Sequence, residues 1–141
     1  MAVTASLYNH TAKLFANGDV DLAACKVMLL NASGTFTASH TAISSISANE
    51  VSGNGWDVGG ELLASVAVTV TTTNDATLDA ADLSITASGG AIGPAENAVI
   101  YDDTGNYPLV HISFGEAKTA DSGTPFAITF NASGIITWTV T

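Results

Sequence analysis

Alternating apolar and polar positions are the clearest signal along the chain. In Ile135-Ile136-Thr137-Trp138-Thr139-Val140 the even positions Ile136, Trp138 and Val140 share one face, and Thr137 and Thr139 the other. That is the period of a half-buried strand. Val66, Val68 and Val70 repeat the pattern against Ala67, Thr69 and Thr71, which places the three valines on an expected buried face. Further strands are read at Ala5 to Tyr8, Cys25 to Leu30, Leu62 to Thr73, Leu83 to Ala87, Ala98 to Tyr101, Leu109 to Phe114 and Phe126 to Phe130. Glycine with Asn, Asp or Ser separates them, at Asn17-Gly18-Asp19, Asn31 to Gly34, Ser52 to Gly55, Ser88 to Gly90, Asp102 to Asn106 and Asn131 to Gly134. Such clusters supply positive φ and side-chain turn bonds.

Helical spacing occurs once with conviction, over Tyr8 to Ala16. Leu7, Leu14 and Phe15 lie near one stripe there, Asn9 or Thr11 is the expected cap, and Asn17-Gly18 is the stop. Ala42 to Ala48 reads as a short helical turn or a loop. Asn31-Ala32-Ser33-Gly34 is echoed a hundred residues later by Asn131-Ala132-Ser133-Gly134. Two copies make no solenoid, so both are read as turns leading into strands. About eight strands with regular turns and little helix predict a mainly β protein, a single antiparallel β-sandwich or jelly-roll-like domain over residues 1–141 with one short N-terminal helix.

Composition narrows this picture. The apolar share of 47% is enough for one core in 141 residues, and it leans on Ala and Val with abundant Thr and Ser, which suits pleated sheets. Thirteen acids face three lysines and no arginine, giving a net charge of −10. Phosphate neutralisation needs clustered Lys and Arg, so nucleic acid is excluded as a partner, and an anionic membrane surface is disfavoured on the same ground. No apolar run approaches the roughly 20 residues of a bilayer span. Met1-Ala2-Val3-Thr4-Ala5-Ser6 lacks the basic start and apolar stretch of a signal peptide, so synthesis in a cytoplasm is expected. A single cysteine, Cys25, excludes an internal disulfide and a cysteine cage for zinc.

Candidate chemistry is sparse. His10, His40 and His111 fall in a helix, a loop and a strand, with no His-x-x-x-His or Cys-x-x-Cys pair, so no metal site or cofactor is assigned. There is no Gly-x-Ser-x-Gly elbow, Cys25 opens an apolar strand, and no catalytic residue is assigned. Asp75, Asp79 and Asp82, and the pair Asp102-Asp103, are the acids a glycosidase would need, but they read as solvated loop residues. Asp102 to Asn106 offers oxygen ligands for calcium without the spacing of an EF-hand. Ser52 to Gly60 is a glycine-rich loop around Trp56, which is either a partner contact or a lid over one end of the core. Trp56, Asn54 beside it and Phe36 are the candidate partner-contact residues.

Several segments in order resemble small structural proteins of tailed bacteriophages. They are Tyr8 to Gly18, Lys26 to Leu30, Ala48 to Trp56 with Gly59-Gly60, Ala98 to Asp103, Pro108-Leu109, Ile112 to Gly115 and Phe130 to Ile135. The resemblance spans nearly the whole chain and carries no catalytic signature. It implies a non-enzymatic virion component, for this size a capsid decoration (cement) protein. Such a protein is made in the host cytoplasm, binds the major capsid protein on the capsid exterior and forms a homo-oligomer about a local symmetry axis. The alternative is a tail-associated or receptor-binding module that recognises host surface carbohydrate through the Gly53 to Gly60 loop. A small hydrolase is a third and weaker reading.

Overall fold

A computed structural model describes residues 3–71 and 74–139, so the ends of the strands read to Thr73 and Val140 lie outside the described residues. The strands are β1 (Thr4–Leu7), β2 (Cys25–Leu30), β3 (Glu50–Val51), β4 (Glu61–Leu62), β5 (Ala67–Val70), β6 (Ala76–Asp79), β7 (Leu83–Thr86), β8 (Ile92–Asp102), β9 (Tyr107–Ala120), β10 (Pro125–Ile128) and β11 (Ile136–Trp138). One α-helix, α1 (Thr11–Asn17), follows β1. The larger sheet runs β1-β9-β8-β2-β3, with β4 also on β2, and two smaller sheets pair β10 with β7 and β11-β6-β5. Every pairing is antiparallel, and the architecture is mainly β and sandwich-like, as the pattern predicts.

Three strands, β2, β8 and β9, carry the structure because they are covered on both faces. Cys25 to Leu30 pairs residue for residue with Asp102 to Asn97. One face puts Cys25, Val27 and Leu29 with Ala98 and Ile100 into the main core, where Leu78, Phe126, Ile128 and Ile136 of the smaller sheets meet them. The other face puts Met28, Leu30, Val99 and Tyr101 into a second cluster with Tyr8, Ile43 and Ile46. Strands buried on both sides lose their alternation and read as continuous apolar runs. Fully burying each such Val, Leu or Ile contributes about 1.5–3 kcal/mol, so these strands hold much of the stability.

Residues 31–49 close the second face. They include two 3₁₀ turns, Ile43–Ser45 and Ser47–Asn49, where a short helix or loop was expected. Backbone bonds staple this strap at Asn31 to Asn49, at Asn9 to Ala38 and at Ile43 to Asn106. The Asn97 side chain donates to the Asn31 carbonyl at 3.1 Å. Both echoed turns share one construction: the Asn side chain accepts from Ser33 at 2.9 Å and from Ser133 at 2.8 Å. Each Gly amide then closes on the Asn carbonyl. The second turn leads into β11; the first leads into the strap and not into a strand.

A bulge resolves a puzzle at the β8–β9 hairpin. Ile100 pairs with Val110, yet Tyr101 pairs with Pro108, so Leu109 is the extra residue. Leu109 and Val110 both enter the main core for this reason, where strict alternation puts them on opposite faces. The Leu109 carbonyl is left to accept from the Thr11 hydroxyl at 2.7 Å and from the Tyr8 amide. Thr11 therefore anchors α1 to the sheet and does not cap it; the helix begins after His10 with no side-chain cap. Its end is as expected, with Gly18 left-handed and its amide returned to Leu14 and Phe15.

Two expectations fail. Val66 is half-buried against the main core, as expected, but Val68 and Val70 do not enter it: β5 is exposed throughout, with Val70 at 78%, and among the described residues it pairs only with β6. The acid-rich stretch read as a loop is instead β6, where Thr77 and Leu78 are buried between β5 and β11. Two apolar residues in four were too few to mark a strand against its flanking aspartates.

Gly60 has φ +89°, and a Cβ there would sit 2.3 Å from the Val27 carbonyl oxygen of β2. Gly60→Ala is expected to destabilise the fold by about 3 kcal/mol, combining left-handed strain with a clash. Gly123, with φ +89° and open space around it, serves as the control, and Ala there is expected to cost about 1 kcal/mol. Urea denaturation midpoints of the two variants check the difference.

Candidate functional site

The glycine-rich loop is built inward around its tryptophan. Gly53 and Trp56 exchange backbone bonds at 2.8 and 3.1 Å, closing a tight turn. Asn54 takes a left-handed φ of 57°, its side chain donates to the Ala91 carbonyl at 2.7 Å, and its own carbonyl accepts from Ser88. Trp56 is thereby driven into the core at 1% exposure, edge-on to Phe126 at 5.6 Å. As a partner contact Trp56 is corrected to a lid: it has no surface left to offer. Asn54 remains exposed, with its amide occupied in pinning the turn. Phe36 is half-buried, packed between Tyr8 at 5.1 Å and His111 at 5.6 Å.

What this loop displays is Val58, 80% exposed at its far end. The lower part of the loop is tied down. Glu61 accepts from the Asp57 amide at 2.7 Å, Glu50 accepts from the Gly59 amide, and the Tyr101 hydroxyl donates to the Gly59 carbonyl. Burial, with Asp103 and Glu50 nearby, pushes the Tyr101 hydroxyl up to about 12, so it stays a donor. A lone Val between Asp57 and Gly59 gave no sequence signal of its role.

Structure brings two of the three histidines onto one aromatic row. Tyr107, His10, Tyr8, Phe36 and His111 follow one another with ring centroids 5.1 to 6.4 Å apart. The imidazoles are spent on backbone: His10 Nε2–H donates to the Pro108 carbonyl at 2.6 Å and His111 Nε2–H to the Gly34 carbonyl at 2.9 Å. His111 is buried, which lowers its pKa, with the bond to Gly34 opposing. His40 keeps a buried Nδ1 without a partner in the strap. No group of three or more His, Cys, Asp and Glu side chains converges among the described residues.

Carboxylates build turns. Asp102 is buried at 1% and accepts from the amides of Asp21 at 3.1 Å and Thr104 at 2.9 Å. Asp21 accepts in turn from the Thr104 hydroxyl at 2.9 Å, and Asp103 pairs with Lys26 at 2.9 Å. This network locks the hairpin end against the turn before β2. Asp82 holds the Phe130 amide at 2.9 Å and Asp79 the amide of Ala80. Cys25 is buried at 1%; burial, reinforced by Asp102 and Asp21, pushes its thiol up to about 12. A thiolate nucleophile is thus disfavoured at neutral pH.

Two surface grooves are lined mainly by apolar residues. A groove of about 910 Å³ runs between β1 and β10 over β9, with Ile112, Phe114, Phe126 and Ile128 along it. A second, of about 590 Å³, lies between α1 and the smaller sheet, formed by Phe15, Val20, Val68 and Trp138. Exposed at the strand edges and loop tips are Val3, Leu7, Val58, Leu62, Val68 and Val70. No helix among the described residues is long and apolar enough to cross a membrane. Comparison with protein-family models, with curated proteins and with solved structures finds no match.

Two measurements probe the buried groups. His111 is held neutral in the fold, whereas the unfolded chain takes up a proton near pH 6.5. The unfolded state then binds more protons between that pH and the lowered folded value, so stability rises with pH there and falls on acidification. His111→Gln, which keeps a donor for Gly34 and removes the titration, is expected to flatten the rise of stability with pH below about pH 6.5, the slope removed being at most one proton, about 1.4 kcal/mol per pH unit. Cys25 is expected to resist a thiol reagent at pH 8 in native protein and to react fully in urea; fast native labelling contradicts its burial.

Proposed function

We propose that this chain is a non-enzymatic virion protein of a tailed bacteriophage, a capsid decoration (cement) protein that binds the outer shell and bridges major capsid subunits. The observation that carries the reading is the run of ordered segments, from Tyr8 to Ile135, that resembles small phage structural proteins. The architecture supports it physically. A sheet covered on both faces is a stiff centre, and the apolar residues left in water sit at edges and tips, where a neighbouring protein can cover them. Held together without a disulfide, the fold suits assembly from a reducing cytoplasm. A net charge of −10 suits a shell surface with basic patches and repels packaged DNA. Copies repeated over a symmetric shell add many weak contacts, so no single contact need be strong.

The carbohydrate-binding alternative rests on the Gly53 to Gly60 loop, whose one aromatic ring able to stack on a sugar is that of Trp56. Its burial removes that platform, and the loop offers Val58 instead.

Electron cryo-microscopy of intact particles tests the reading. Density for this fold repeated over the icosahedral shell and bridging neighbouring subunits is the expected result; density confined to the tail contradicts it. In reconstitution, purified protein added to shells that lack it is expected to raise their thermal disruption temperature. Val58→Asp is expected to weaken that binding, since about 80% of the Val58 side chain is free to be covered and a carboxylate resists desolvation.

A further inference from the structure

Free strand edges are templates for pairing with another chain, and most edges of this fold are guarded. β3 and β4 are two residues long and each carries a glutamate, Glu50 and Glu61. β10 opens on Pro125, and the Asn54-Gly55 turn lies against the end of β7, with Ser88 bonded to Asn54. β11 is three residues long, with Trp138 packed on Phe15. Among the described residues two edge strands, β1 and β5, carry neither charge nor proline. Among the described residues β1 pairs only with β9, through Thr4 to Leu7 against Ser113 to Val110.

β1 differs from β5 in what lies beside it. Val3 and Ala5 of its apolar face look onto the groove of about 910 Å³ beneath β10, and Val3 and Leu7 are 63% and 45% exposed. No lining residue of that groove is acidic; its one charged residue, Lys118, is paired with the exposed carboxylate of Glu116, the single acid shown at its rim. In a chain of net −10 this is a place where a like-charged body meets few carboxylates, the one at the rim being neutralised by its lysine. β5 lacks that property, since its partner β6 sets Asp79 opposite Ala67 and follows Asp75.

We infer that β1 is a homotypic contact: two copies of the chain pair their β1 strands antiparallel about a twofold axis, extending the larger sheet across both. The added strand brings Val3, Ala5 and Leu7 of the second copy over the open side of the groove, and the first copy does the same in return, as an isologous contact requires. Four paired residues cover less than the roughly 1,200 Å² of a stable complex, so the dimer is weak and reversible in dilute solution. The inference deepens the homo-oligomer part of the cement reading. It is tested on purified protein alone, so its failure leaves the placement on the shell standing, and the reverse.

Sedimentation equilibrium of the full chain, from micromolar to millimolar, is the experiment. The expected result is a reversible monomer–dimer equilibrium that tightens as salt is raised, because salt screens the repulsion between two acidic bodies while the contact itself is uncharged. Thr4→Lys is expected to weaken it at least tenfold with an unchanged circular dichroism spectrum, and Val70→Lys to leave it unaltered. If Thr4→Lys fails to fold, Thr4→Cys decides: a short bis-maleimide is expected to give a covalent dimer, with buried Cys25 not competing, and Val70→Cys to give none. A monomer at every concentration, dimer loss only in Val70→Lys, crosslinking only through Val70→Cys, or weakening by salt each overturns the assignment.

Discussion

Covering one sheet on both faces is the constraint on which the rest of this structure depends. β2 and β8 must present apolar side chains in both directions, so each needs a layer above and a layer below. The smaller sheets supply one, bringing Leu78, Phe126, Ile128 and Ile136 onto Val27, Leu29 and Ile100. A strap with little regular structure supplies the other, bringing Ile43 and Ile46 onto Met28, Leu30 and Val99. An irregular layer can bury its backbone only where its polar groups find partners, which explains the density of bonds along residues 31–49 and the assignment of His111 and Asn97 to its carbonyls.

The same constraint decides how the polar side chains are used and where apolar surface is left. Side chains that look reactive in sequence are consumed in fixing the layers: His10 and His111 bond carbonyls, Asp21, Asp82 and Asp102 hold turn amides, and Trp56 closes the core beside Phe126. Apolar surface is left at the perimeter, on β1, on β5 and at Val58. A doubly covered centre and an apolar rim are the two features on which the proposed cement role rests.

Legibility in the sequence followed burial. Cys25 to Leu30 was readable to the residue because four consecutive apolar residues, Val27 to Leu30, behind Cys25-Lys26 and ahead of a turn signal have one interpretation in a mainly β chain. Gly18 was readable because only a left-handed stop explains Asn17-Gly18 after a helical stripe. Alternation alone misled at β5: period two shows that two faces differ, not that either is covered, and all four residues of β5 are exposed. β6 was invisible for the opposite reason, since its burial depends on pairing with β11, some sixty residues on, and the Leu109 bulge was invisible because it is a one-residue offset in the β8–β9 pairing that no residue type marks. At the candidate site, glycines around Trp56 signalled a turn, but whether its ring faced in or out depended on Phe126, seventy residues away.

Amide hydrogen exchange on dilute native protein tests the account most directly, because exchange reports the free energy of opening strand by strand. The doubly covered centre predicts that the slowest amides, exchanging only through global unfolding, lie in Val27 to Leu30, Ala98 to Tyr101 and Val110 to Ile112, while β1 and β5 exchange through cheap local opening. Slow amides spread evenly over β5, β6 and β7, or fast exchange in β8, would contradict it.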